Sequence, residues 1–264
     1  TPHFVVFDKR TIEADMRRIQ PSLVCYSAMS TDAPAYLEIN RWLKERFSFV
    51  SLMGGTHPTY FPEVIEEPGL DYICRGEGEE AFAEFLQAMA DGRDPADVQN
   101  ITSKTRTNPV RPPVMNLDDL PIPDRSLVFD SSELARSPIK TFMTSRGCPF
   151  SCAYCHNNSL KELYKGVGKH YRHHSVDRVI EEIAGIKARY PLHFIKFEDD
   201  LFAAKTSWLR EFSSKYPARI GVPFNCLQRF ELVNDERAKL LKDAGCVSVG
   251  LSIESASPRI RRDI

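Results

Sequence analysis

The sequence has no charge excess, no long apolar run and no glycine motif for a dinucleotide. Lys and Arg total 35 against 36 Asp and Glu, a net charge of −1. That balance gives no electrostatic reason to expect nucleic acid or an anionic membrane as partner. No uninterrupted apolar stretch approaches the ~20 residues that cross a bilayer. Thr1-Pro2-His3-Phe4 does not open a basic region leading into an apolar one, so no export signal is visible and a cytoplasmic location is expected. Seven cysteines is an odd number. Without an export signal they argue against a disulfide framework and for thiols used in metal or redox chemistry. Internal repeats and low-complexity tracts are absent. What is present is an ordinary globular composition, 42% hydrophobic and 27% charged over 264 residues, and ~150 residues per domain suggests about two domains.

Seven of the 18 prolines fall between Pro95 and Pro138. Proline lacks an N–H and restricts the residue before it, so residues 95–138 read as an extended linker holding a domain boundary. Before it, short apolar runs (Phe4–Phe7, Leu23–Tyr26, Phe49–Met53, Tyr72–Cys74) alternate with helical patterns (Ile12–Ile19, Ala35–Phe47, Pro62–Glu67, Glu79–Met89). This predicts a doubly wound α/β domain with a parallel sheet covered on both faces. Ligands of such sheets sit beyond the C-terminal strand ends. Three segments would lie there, at Ser27–Thr31, Gly54–Pro58 and Arg75–Glu79, each with small residues that admit a ligand close to the backbone. Tight strand-to-helix turns alone would also account for them. The acidic Gly76-Glu77-Gly78-Glu79 would repel a pyrophosphate, which disfavours a plain NAD site.

After the linker, strand patterns at Ile139–Thr144, Phe194–Glu198, Ile220–Cys226 and Val247–Ile253 alternate with helices at Val176–Ala188, Ser207–Tyr216 and Asp235–Ala244. Ser175 and Asn234 suit helix N-caps and Gly245 a C′ position. The repeat predicts a (β/α) barrel or partial barrel with its site at the C-terminal strand ends.

Directly after the first of these strands comes Cys148-Pro149-Phe150-Ser151-Cys152-Ala153-Tyr154-Cys155-His156. Three thiolates on one short loop are soft ligands, suited to an iron–sulfur cluster or zinc. A closed structural site needs four ligands, whereas three on a cubane leave one iron open to a small molecule. Other readings exist. Cys152–His156 also spells CxxCH, the haem c attachment pattern, which needs export and leaves Cys148 unexplained. Zinc needs a fourth ligand; His156 adjoins Cys155 too closely, and no second CxxC or HxxxH lies nearby. Thiols serving only as small buried hydrophobes do not account for three in eight residues beside Gly147 and Pro149.

The motif Cx3CxΦC, with Tyr154 at Φ, resembles the signature of the radical S-adenosylmethionine (SAM) enzymes. The rest resembles their subgroup with an N-terminal cobalamin-binding domain. Gly54–Thr59 is similar to its GGxHPT turn and Asp71–Glu79 to its RGEGE segment. Leu117–Pro123 is similar to its linker, Phe197–Phe202 to FxDDxF and Gly250–Ser255 to GxxIES. The resemblance implies a cobalamin-binding domain over 1–94 lacking its first strand, the linker over 95–138, and over 139–264 a barrel that breaks off after its fourth strand with no helix to follow. It further implies that the chain is an internal piece of a longer protein.

Residue by residue, the resemblance implies that Cys148, Cys152 and Cys155 hold three irons of a 4Fe–4S cluster, with SAM on the fourth. Tyr154 would contact adenine. Glu198, Asp199 or Asp200 would meet the SAM amino group, Arg229 its carboxylate, and Ser252 and Glu254 its ribose or methionine part. Cobalamin would contact Ser27, Ser30, Gly54, Gly55, Thr56, Gly76 and Glu77, with both glycines small so that its nucleotide tail can pass. His170, His173 and His174 read as a polar turn without a metal role. D-x-H-x-x-G, which supplies an axial His in many such domains, is absent and would precede Thr1. The implied reaction is reductive SAM cleavage followed by methyl transfer to an unactivated carbon, or by cyclisation or rearrangement. The substrate would be a small molecule, and a flavodoxin or ferredoxin would be the reductant. The rival functions are a radical SAM enzyme whose N-terminal domain no longer binds cobalamin, and a non-catalytic metal-binding module.

Overall fold

The computed structural model describes residues 8–263; the expected strand Phe4–Phe7 lies outside them. The chain divides into two compact units, residues 8–114 and residues 115–263.

In the first unit the elements run α1 (Lys9–Ile19), β1 (Leu23–Ser27), α2 (Ala33–Lys44), β2 (Val50–Gly54), α3 (Thr56–Tyr60), β3 (Tyr72–Cys74), α4 (Glu79–Ala90) and β4 (Ile101–Ser103). The expected helix at Pro62–Glu67 is a 3-10 turn over Pro62–Glu66. β1, β2 and β3 are parallel and in that order. Successive residues of a strand face opposite sides. Accordingly Met53 and Ile73 pack with Ala33 and Leu37 of α2, while their neighbours Leu52 and Cys74 pack with Ala81 and Phe85 of α4. The sheet is therefore covered on both faces.

β4 corrects the all-parallel expectation. It pairs antiparallel with β3, and residues 95–114, expected within the linker, fold with the first unit. Two buried asparagines organise this piece. Asn108 Nδ2 reaches the carbonyls of Ala96, Val98 and Ile101 at 2.6–3.0 Å. Asn100 donates to the Glu77 carbonyl and accepts from Arg111 N.

The second unit begins with α5 (Ser126–Phe129). It continues through β5 (Ile139–Phe142), β6 (Ser145–Arg146), α6 (Asn157–Leu163), β7 (Arg172–His173), α7 (Val176–Arg189), β8 (Phe194–Phe197) and α8 (Thr206–Arg219), then β9 (Phe224–Leu227), α9 (Asp235–Ala244), β10 (Cys246–Gly250) and α10 (Pro258–Asp263). β5, β8, β9 and β10 form one parallel sheet in that order. The expected caps act as predicted: Ser175 accepts from Arg178 N, Asn234 accepts from Arg237 N, and Gly245 closes α9 at φ 96°. One side of the sheet carries an aromatic core of Phe197, Phe202, Phe212, Tyr216 and Phe224, with Trp208 stacked on Phe212 at 5.1 Å.

Two expectations need correction. The strand expected to start at Ile220 starts at Phe224, because Ile220 N closes the last turn of α8 on Tyr216 O (2.8 Å) and Gly221 turns the chain at φ 63°. Ile220 and Val222 are buried core residues all the same, so their apolar character suggested a strand where the chain is a helix end. A helix, α10, does follow the fourth strand.

Candidate functional site

The C-terminal ends of the second unit's strands gather the residues picked from the sequence. β5 leads into β6, which pairs antiparallel with β7. Between them Gly147 has φ 75°, and a Cβ there would stand 2.5 Å from the His170 carbonyl, so only glycine fits. The cysteine loop then hangs from its own carbonyls. His170 Nε2 donates to Cys148 O at 2.5 Å. Lys161 on α6 donates to Phe150 O and, at 2.7 Å, to Ser151 Oγ. Asn158 Nδ2 and Cys155 N donate to Cys152 O at 2.5 and 3.0 Å. His170 thus belongs to the loop's supports, a role the sequence did not signal; His173 lies in β7, and His174 Nδ1 meets Asp118 at 3.0 Å.

All three loop thiols are free, Cys148 buried and Cys152 and Cys155 half-buried. Burial pushes the Cys148 thiol up, and Asp200, Cys152 and Cys155 lie near enough to add to that. Asn157 Nδ2 donates to Cys155 Sγ at 3.5 Å, and Arg229 Nη1 to Cys152 Sγ at 2.7 Å. Lost hydration and then a hydrogen bond with Glu254 push the phenol of exposed Tyr154 up to about 12. Arg229, after β9, is thereby brought to a thiol; Glu254, beyond β10, reaches Tyr154 on the loop, and the charge of Asp200, after β8, is felt at Cys148. Ser252 is exposed on the segment after β10. Among the described residues, no three His, Cys, Asp or Glu side chains form a ready-made single-ion group. The donor set of three soft, unbridged thiols on one loop fits a cluster.

The three carboxylates after β8 separate. Glu198 and Asp200 are exposed. Asp199 is fully buried and accepts from Thr144 N, Thr144 Oγ1 and Ser145 Oγ at 2.9, 2.9 and 2.5 Å. It fastens the run-in of the cysteine loop to the end of β8. Burial pushes its carboxyl up to about 6, against those three hydrogen bonds, and Oδ2 has no partner. Behind it, buried Arg237 on α9 donates to Ala203 O and Gln228 Oε1 at 2.8 and 3.0 Å, while Gln228 Nε2 donates to Phe202 O at 2.6 Å. These two residues, not selected from sequence, fix the loops after β8 and β9.

The first unit's crevice is built differently. At Gly55, φ 97°, a Cβ would meet Ala28 O at 2.7 Å and Ala28 N at 2.8 Å. The loop after β2 presses on the loop after β1, with Ala28 N donating to Gly54 O and His57 N to Ala28 O, both at 2.9 Å. At Gly54 a Cβ would find only Cys74 Cβ, at 4.0 Å. Thr59 Oγ1 donates to Gly55 O and accepts from Gly76 N. Ser30 Oγ meets His57 Nδ1 at 3.1 Å, and Glu77 Oε2 accepts from Val114 N at 3.0 Å. Ser27 and Thr56 are exposed. The chain's own backbone thus requires glycine at position 55, a reason the sequence did not signal. Three buried side-chain atoms of this unit have no hydrogen bond, Arg75 Nε, Thr102 Oγ1 and Arg111 Nε. Arg75 follows β3 directly, and its orphaned donor among small-residue loops fits a ligand carrying carbonyl or phosphate oxygens.

Comparison with known proteins agrees with this geometry. The profile for the Radical SAM superfamily matches residues 142–264, and that for the B12 binding domain matches residues 5–86. The chain carries both domains of the radical SAM enzymes that have an N-terminal cobalamin-binding domain. It is 34% identical over 256 residues to an uncharacterised methyltransferase of Pyrococcus horikoshii, covering 93% of this chain and 54% of that protein. It is 27% identical over 226 residues to the anaerobic magnesium-protoporphyrin IX monomethyl ester cyclase of Rubrivivax gelatinosus, covering 79% of this chain and 39% of that one. The chain thus spans about half the length, or less, of these curated relatives. In fold it matches the radical SAM methyltransferase TsrM of Kitasatospora setae, solved with cobalamin and a [4Fe-4S] cluster. That match has TM-score 0.76 at 19% identity, over 95% of this chain and 53% of TsrM. No helix among the described residues is long and apolar enough to cross a membrane.

Proposed function

We propose that this chain forms the cofactor-binding part of a cobalamin-dependent radical SAM methyltransferase acting on a small molecule. The observation that carries the reading is the convergence of Tyr154, Asp200, Arg229 and Glu254 on a loop of three free thiols. Cys148, Cys152 and Cys155 hold the cluster. Glu198 and Asp200, exposed beside it, receive the SAM amino group through charge-assisted hydrogen bonds, while Asp199 holds the loop. Tyr154 takes the adenine, and Ser252 and Glu254 the ribose or methionine part. In the first unit Ser27, Ser30, Gly54, Thr56, Gly76 and Arg75 border the cobalamin site, and Gly55 and Glu77 shape it. When bound, the cluster supplies one-electron reductive cleavage of SAM and cobalamin a transferable methyl group. A flavodoxin or ferredoxin in the cytoplasm would deliver the electron. The first relative named above is called a methyltransferase and the second a cyclase, so cyclisation is the second reading.

Anaerobic reconstitution tests this. The expected result is about four irons and four sulfides per chain, cobalamin bands in the visible spectrum, and methionine released from SAM on reduction. Stoichiometric zinc without iron would overturn the cluster, and iron without cobalamin would favour a domain that has lost the corrinoid.

A further inference from the structure

Arg229, whose resemblance-based role is to meet the SAM carboxylate, has each of its three nitrogens donating elsewhere. It follows β9 at an extended φ of −108°. The preceding residue is pinned, because Gln228 N donates to Gly250 O at 3.0 Å and Gln228 Nε2 to Phe202 O at 2.6 Å. From that fixed base the guanidinium reaches three groups. Nε and Nη2 donate to the two carboxylate oxygens of Glu231 at 3.1 and 2.5 Å. Nη1 donates to Cys152 Sγ at 2.7 Å. The Phe150 ring covers one face, its centroid 4.2 Å from Cζ.

A guanidinium binds a carboxylate best through one edge of its planar fork, with two parallel N–H bonds. In Arg229 the Nε/Nη2 edge already holds a carboxylate of its own chain, and Nη1, which the other edge would need, donates to sulfur. A second carboxylate arriving there would meet the like charge of Glu231. The free side of the fork instead points at sulfur. We infer that Arg229 is a positioning and tuning residue for the cluster: it donates to the Cys152 thiolate and sets the reduction potential, leaving SAM affinity to other groups. Hydrogen bonds to ligating sulfurs and local charge are among the levers that set cluster potentials. A cation beside a ligand favours the state carrying one more electron, so Arg229 raises the potential and eases reduction.

The inference rests on the cluster reading, and one measurement keeps the two apart: iron and sulfide content of the anaerobically reconstituted wild-type protein. Absence of iron there sinks the cluster reading itself. With the cluster present, Arg229→Met, Arg229→Gln and Arg229→Lys are compared by redox titration followed by electron paramagnetic resonance, without SAM. Equilibrium dialysis then gives SAM affinity with the cluster oxidised. At the potential that half-reduces the wild type, the reduced-to-oxidised ratio in Arg229→Met and Arg229→Gln is expected to fall about tenfold, ~59 mV for a one-electron couple. Arg229→Lys keeps the charge without the fork and falls between. SAM affinity should change less than about threefold, well under one step of 1.4 kcal/mol. If Arg229→Met loses its cluster, Arg229→Gln and Arg229→Lys still decide the matter. An unchanged potential in them overturns the inference, and an accompanying tenfold loss of SAM affinity returns Arg229 to the SAM carboxylate.

Discussion

The strand ends of the two units use their marked residues in opposite ways. In residues 115–263, the chemistry-bearing groups stay unbridged or exposed: three thiols without a disulfide, two exposed carboxylates and an exposed phenol. The fold reaches them through main-chain carbonyls. In residues 8–114, the small residues that suggested room for a ligand are largely consumed by the chain. Gly55 accommodates Ala28, Thr59 bridges Gly55 and Gly76, and Glu77 holds Val114. Residue types that carry chemistry advertise a site directly. Glycines and short polar residues first serve the turns they stand in.

The largest test of this contrast is at the cysteines. Cys148→Ala, Cys152→Ala or Cys155→Ala should each reduce bound iron from about four per chain to background, since two thiolates cannot hold a cubane with an open iron. Cys226→Ala and Cys246→Ala should keep it. Those two sulfurs face each other across β9 and β10 at 3.9 Å. Iron retained in any of the first three variants would break the assignment of the loop.

Next comes the glycine pair. Gly55→Val forces a β-branched side chain into φ 97° and against Ala28 O at 2.7 Å, which should cost about 2–4 kcal/mol in the first unit. Gly54→Ala should cost under ~1 kcal/mol, since its Cβ meets nothing nearer than 4.0 Å. Chemical denaturation with a probe in residues 8–114 compares them. Equal midpoints would mean that the loops after β1 and β2 part easily, and that Gly55 is small for a ligand after all.

Asp199 separates loop support from ligand binding. Its carboxyl is pushed up to about 6 by burial, from 3.8. The folded state therefore holds this proton more tightly than the unfolded state, so the contribution of Asp199 to stability is greatest below about pH 4 and declines as pH rises through about 6, by on the order of 2–3 kcal/mol. Asp199→Asn, which mimics the protonated form, should flatten that slope and stabilise the second unit at pH 8. SAM affinity should stay within about threefold, whereas Glu198→Gln or Asp200→Asn should lose about tenfold, as for a charge-assisted hydrogen bond. A slope that persists in Asp199→Asn would assign the titration to another group.

The smallest effect is at Arg75. Arg75→Met should weaken cobalamin binding about tenfold, the value of one hydrogen bond from a charged donor. The melting temperature should move little, because no protein hydrogen bond to Nε is lost. Visible titration with hydroxocobalamin and thermal melting check the two arms. Unchanged affinity would leave the buried donor without a ligand role.

Much of this was legible in the sequence. The gathering of three thiols on one loop was, because spacing on a short loop is itself geometry. Helix ends at Ser175, Asn234 and Gly245 were legible because caps are local. β4 was not: three residues in a Pro-rich stretch carry no period, and what makes them a strand is pairing with β3 and the side-chain amides of Asn100 and Asn108. The start of β9 was blurred because a buried helix end and a buried strand are equally apolar. The three acids Glu198, Asp199 and Asp200 were indistinguishable in sequence, since only the neighbouring Thr144 and Ser145, 54–55 residues earlier, make the middle one internal. Arg229 was found, but its partner Glu231 and the ring of Phe150 alter what it can do. Asp118, inside the linker resemblance, holds His174 and Ser175 N at the start of α7, a tertiary role that spacing does not reveal.

The suspension of the cysteine loop by its carbonyls has a consequence for how this site can change over generations. His170, Lys161 and Asn158 grip the oxygens of Cys148, Phe150 and Cys152, and every amino acid presents that same oxygen. A mutation at Ala153 alters an exposed side chain of the loop while leaving the grip intact. The loop can therefore drift in its exposed side chains without loosening its three sulfurs, so that selection on those side chains and selection on the placing of the thiols act on separate parts of the same ten residues, from Gly147 to His156.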